Sequence, residues 1–139
     1  MPQQRHRAIP PIIIAVLTVG ILGCTQPEGQ RLTGAEIGAL LGKHTAVGYH
    51  ERKDFRFQRY FATDGSVKAF NPIKGARSGR WRIDDQGRHC LRFFGAEEHC
   101  RLIYRGQDGI YRKYSTFWLG GHRLLIIYSG FAEGNGVGQ

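Results

Sequence analysis

The chain has 139 residues, with 20 Lys and Arg against 11 Asp and Glu and a net charge of +9. That length supports one domain with a single core and excludes two. Fifteen of the twenty cations are Arg, a side chain that forks onto phosphate and carboxylate, so any partner implied by the charge is anionic.

The chain begins with Arg5, His6 and Arg7, then an apolar run over residues 8–22, then Ile21-Leu22-Gly23-Cys24. About fifteen apolar residues fall short of the roughly twenty that cross a bilayer as a helix, and Pro10-Pro11 would break the first turns. The segment resembles a bacterial lipoprotein signal peptide, whose lipobox is cut just before a cysteine that carries lipid. Gly23 and Cys24 fit that pattern, whereas Ile21 stands where Leu is usual and Leu22 where a smaller residue is usual. The resemblance implies removal of residues 1–23, lipidation of Cys24 and a tether over residues 24–31. It also implies an exported protein held on the periplasmic side of a membrane, the outer membrane before the inner. The competing reading is an ordinary secretory signal cut elsewhere, which leaves Cys24 as an odd thiol.

Removing the signal leaves 18 basic against 11 acidic side chains. Export turns the expected anionic partner away from nucleic acid and toward anionic lipid, lipopolysaccharide or acidic glycan. The bland reading of the same charge is a solvated, Arg-rich exterior.

Thr33 and Glu36 form a capping box, and Ile37, Leu40 and Leu41 recur at helical spacing before Gly42. This predicts a helix of about two turns that must dock on something apolar. From Lys43 the period becomes two. Strands are predicted at residues 44–50, 55–62, 66–70, 79–84, 88–94, 99–105, 110–114 and 122–129, with an irregular connection over residues 71–77. Gly65, Gly87 and Gly109 end the tight connections, as hairpin turns prefer. The predicted fold is mainly β: one antiparallel curved sheet or small barrel-like meander over residues 32–130 with one short N-terminal helix, then a flexible tail over residues 131–139.

Phe55, Phe57 and Phe61 share a face with Arg59 as the exception, and Trp81 and Ile83 lie opposite Arg80 and Arg82. The run Leu124-Leu125-Ile126-Ile127 predicts a strand in mid-sheet or covered on both faces. The inner face of residues 88–94 stays open, since Leu91 and Phe93 oppose Cys90 and Phe94.

With Cys24 assigned to lipid, Cys90 and Cys100 remain to pair, and export permits a disulfide. The order of helix, Gly79-Arg80-Trp81 and two cysteines on neighbouring strands resembles small exported proteobacterial proteins of unknown function. That resemblance covers most of residues 32–114, implies a disulfide-bearing β domain and carries no activity.

Three sites are candidates. A basic, aromatic-edged face built from Arg80, Arg82, Arg101, Arg105 and Arg112, with Lys113 beside them, would suit an anionic ligand. His89 and His99, with Glu98, offer imidazoles and a carboxylate to a metal; a site using both cysteines as well is disfavoured because neighbours on a strand point apart. Asp84-Asp85 is a weak catalytic pair at a turn. No hydrolase, metalloprotease, haem or nucleotide motif occurs, so no cofactor is expected. The expected function is therefore a non-enzymatic, membrane-anchored binding or envelope-accessory lipoprotein. The alternatives are a small ligand- or metal-binding enzyme-like domain and an inhibitor of an envelope-directed hydrolase. Oligomeric state is not legible.

Overall fold

The structure, a computed structural model, describes residues 26–139; the signal segment and Cys24 lie outside them. The described chain runs β1 (Gln30–Arg31), α1 (Gly34–Leu41), β2 (His44–His50), β3 (Phe55–Phe61), β4 (Ser66–Asn71), β5 (Gly75–Ile83), β6 (His89–Phe93), β7 (His99–Arg105), β8 (Tyr111–Thr116) and β9 (His122–Glu133). Strands β2 to β8 pair antiparallel with their successors, β9 returns to pair with both β8 and β2, and β7 pairs with β8, so eight strands close into a barrel. Closure removes every free edge from those eight strands. β1 lies outside, continuing the line of β6 along Tyr104 and Arg105 of β7.

Helix α1 plugs one end. Thr33 Oγ1 accepts the Glu36 amide at 3.2 Å, and the Gly42 amide donates to Gly38 at 2.9 Å. Ile37 and Leu41 are fully buried among Phe61, Val67 and Ile103. Each contributes about 1.5–3 kcal/mol of hydrophobic burial, which stabilises a helix too short to persist alone. Trp81 turns inward with Ile83, and its indole N–H donates to the Ala62 carbonyl at 2.8 Å.

Three stretches differ from expectation. The predicted irregular link at residues 71–77 is a tight turn: Asn71 Oδ1 accepts the amides of Ile73 and Lys74 at 3.0 and 2.8 Å, and β5 starts at Gly75. The tail expected from residue 131 begins later, because β9 extends to Glu133 along β2. Gly134 and Gly136 are then tied to Thr45, and Gly138 to Gln58. Residues 30–31, expected in the tether, pair as β1 because Gly29 lets the chain approach the Arg105 carbonyl, where a Cβ would sit 2.1 Å away.

Barrel alternation assigns β6. Cys90 lies opposite Cys100 across the hairpin and the two form the disulfide, so His89, Leu91 and Phe93 face the interior.

Candidate functional site

The connections at residues 51–54, 72–74, 94–98 and 117–121 all lie at the barrel end opposite α1. Behind them the interior is not filled. A cavity of about 430 Å³ opens between β3, β4, β6, β7 and β9. That volume suits one small ligand, as eight-stranded barrels allow. Its walls are apolar at Phe57, Ala69, Leu91, Phe93, Leu125 and Ile126, yet seven Lys and Arg side chains line it against a single carboxylate, Glu97.

Two of those cations are buried in the lumen. Arg59 follows Phe55 and Phe57 on the inner face of β3 and is only 8% exposed. Its guanidinium lies 4.1 Å from the centre of the Phe57 ring and 5.6 Å from that of Phe93, and its Nε has no hydrogen-bond partner. Arg77 covers the Phe93 ring at 4.2 Å. Burial pulls the Arg59 guanidinium down to about 10, so it stays charged at neutral pH. Lys113, 3% exposed, enters from β8 beside a bulge that inserts Leu125 into β9. Its Nζ is hydrogen-bonded to His89 Nδ1 at 2.7 Å. Burial, then the charges of Arg59 and Arg101, push the Lys113 ammonium well below its usual range. Burial and Lys113 do the same to His89, whose Nε2 has no partner. Phe61 and Trp81 pack on the His89 ring at 5.2 and 5.9 Å and form the lumen floor.

Among the described residues, the three ion pairs are Arg82–Glu98, Arg88–Asp84 and Arg112–Asp108. None reaches Arg59 or Lys113. Leaving a guanidinium buried without a counter-charge costs several kcal/mol, of which the Phe57 stack returns about 2. The lumen is thus electrostatically unfinished, and a negative group placed there would complete it.

The expected basic face is dispersed. Arg82 grips Glu98 with two bonds at 2.6 and 3.1 Å, and Arg112 grips Asp108 at 2.7 and 3.1 Å. Arg80 donates to the Asp64 carbonyl, while Arg105 lies against Tyr111 at the helix-capped end. Arg101 and Lys113, read from sequence as part of that outer face, line the lumen instead. Alternation explains the error: Arg112 and Lys113 are adjacent on one strand, so they must point to opposite sides.

The metal set does not gather either. With Cys90 opposite Cys100, His89 lies opposite Arg101 and His99 opposite Leu91, so the two imidazoles are diagonal and separated by those residues. His89 is held by Lys113, His99 lies toward the mouth, and Glu98 is bound to Arg82. The metal-like grouping found among the described residues, Asp84 with Cys90 and Cys100, has both sulfurs in the disulfide and its carboxylate on Arg88. Asp84 also accepts the Gln86 and Arg88 amides, a turn-forming role.

The fold and site together define an eight-stranded, helix-plugged barrel with a cationic, aromatic lumen. Comparison with protein-family models, curated proteins and solved structures finds no match.

Proposed function

We propose that the barrel binds a small organic anion, a carboxylate or phosphate carrying an apolar portion, inside its lumen. The observation that carries this reading is Arg59: a charged, buried guanidinium at a cavity wall, stacked on Phe57 and without a carboxylate. The anionic group sits against Arg59 and Lys113, and the apolar portion packs on Phe93, Leu91 and Ile126. A bound anion restores the charged form of Lys113, because an opposite charge offsets the burial that depresses it. The reading is of a binding protein, not an enzyme.

The sequence supports placing this barrel outside the cytoplasm, on a lipid at Cys24. The Cys90–Cys100 disulfide agrees with an oxidising compartment.

Titration with an aromatic sulfonate dye tests the lumen reading. The wild-type chain is expected to bind one equivalent, and Arg59→Met to lose at least tenfold in affinity. Because Met fills similar space without a buried charge, that variant should unfold at the same temperature or a higher one. Undiminished dye binding by a folded Arg59→Met chain would overturn the proposal.

A further inference from the structure

The two ends of the barrel differ in what they show to solvent. At the mouth, the connections expose Ile73 at 64%, Phe94 at 68%, Trp118 at 92% and Leu119 at 76%, with Phe117 beside them. At the end capped by α1, the connections at residues 62–65, 84–88 and 106–110 expose one large apolar side chain, Ile110, at 38%. Exposing a tryptophan and a leucine side by side at a hairpin tip is costly in water, and such groups gather at membrane or partner surfaces. Tryptophan in particular settles where hydrocarbon meets headgroup.

Charge separates these partners. Arg52, Lys53 and Lys74 sit in the same connections, and Arg77 and Arg101 stand just inside the mouth. Arg123 holds its guanidinium 4.7 Å from the Phe117 ring centre. The carboxylates of these loops are Glu51, Asp54, Glu97 and Glu98; Asp54 accepts the Tyr49 hydroxyl and Glu98 is spent on Arg82. Residues 117–121 carry no carboxylate at all. With Arg77, Arg101 and Arg123 added to the three loop cations, six cations face the carboxylates of Glu51, Asp54 and Glu97, Glu98 being paired with Arg82. That positive excess matches an anionic bilayer, whose headgroups meet the cations while Trp118 and Leu119 enter the acyl boundary.

We infer that the open end of the barrel docks on an anionic lipid bilayer through Trp118, Leu119, Phe94 and Ile73, with the lumen mouth facing the lipid. This goes beyond lumen binding and does not depend on it, since none of these four side chains lines the cavity.

The chain has two tryptophans, and Trp81 is fixed inside the barrel by its bond to Ala62, so emission changes report Trp118. The full chain is mixed with vesicles of phosphatidylcholine alone or with phosphatidylglycerol, some carrying bromine on the acyl chains near the headgroup. Expected is a blue shift and quenching by brominated lipid in the anionic vesicles, both lost in Trp118→Phe. Replacing Lys53 and Lys74 by Gln should weaken this binding about fivefold per side chain. Emission unchanged by either vesicle overturns the inference. So does equal quenching in purely zwitterionic vesicles, and so does a concentration-dependent blue shift without lipid, which would assign the tip to a second copy of the chain. The Arg59→Met variant should still show the shift, which keeps failure of the lumen reading apart from failure of this one.

Discussion

At the scale of single residues, the interior behaves as a set of bases held short of protonation. Burial, then Lys53 and Arg59, lower His50 to about 4, and burial, then Lys113 and Arg59, drive His89 well below its ordinary value. Both imidazoles take up protons in the unfolded chain near pH 6.5 but resist doing so in the fold. The contribution of these two imidazoles to stability is therefore fully present above about pH 6.5 and falls as pH drops toward 4. The carboxylates whose values shift, at Asp64, Asp84, Glu98 and Asp108, are all lowered and add their losses only at lower pH. Thermal melts between pH 7 and 4.5 should show a steady decline, and His50→Gln should flatten part of it; a flat profile for the wild type would refute the assignment. Arg59 was visible in sequence as the one cation among inward phenylalanines. Lys113 had a signal too, because the cation next to an outward Arg112 must face inward.

At the scale of elements, close approach of strands decides which glycines matter. Gly79 on β5 lies opposite Phe93, and a Cβ there would fall 2.1 Å from the Arg92 carbonyl oxygen. This gives a physical reason for the glycine two residues before Trp81: the backbone bends against β6 as Trp81 turns into the barrel. Gly79→Ala should cost about 1–3 kcal/mol, as other overpacked sites do. Gly38 in α1 is the control, since its Cβ would meet nothing within 4 Å. Gly38→Ala should stabilise by about 0.5–1 kcal/mol through helix propensity. Urea titrations of the two variants should move in opposite directions. The helix, its cap and all eight barrel strands were legible in outline because alternation and capping are local signals. The start of β5 was not, since Asn71, Pro72 and Gly75 read as a loop when nothing shows that Asn71 closes a tight turn.

At the scale of the whole molecule, the chain enters the barrel near Gly106, where Gly29 packs on Arg105, at the end opposite the mouth. A lipid on Cys24 would thus leave the mouth facing away from the membrane that holds it, toward a second surface. Intact mass of the exported protein checks the anchor: the expected species begins at Cys24, carries a diacyl or triacyl addition and lacks two hydrogens at Cys90 and Cys100. A mass beginning elsewhere removes the anchor and leaves the barrel untouched. The sequence by itself determined the β architecture, the docking helix and the inward Trp81. It also marked the cysteine pair and the cationic character, because period, capping and composition are read within a few residues. Only the tertiary structure decided that the cations divide, with Arg82 and Arg112 neutralised outside while Arg59, Arg101 and Lys113 converge inside. That division depends on barrel closure between β9 and β2 and on the register that sets Cys90 against Cys100. Both are contacts between residues far apart in the chain or across a hairpin, to which a local pattern is blind.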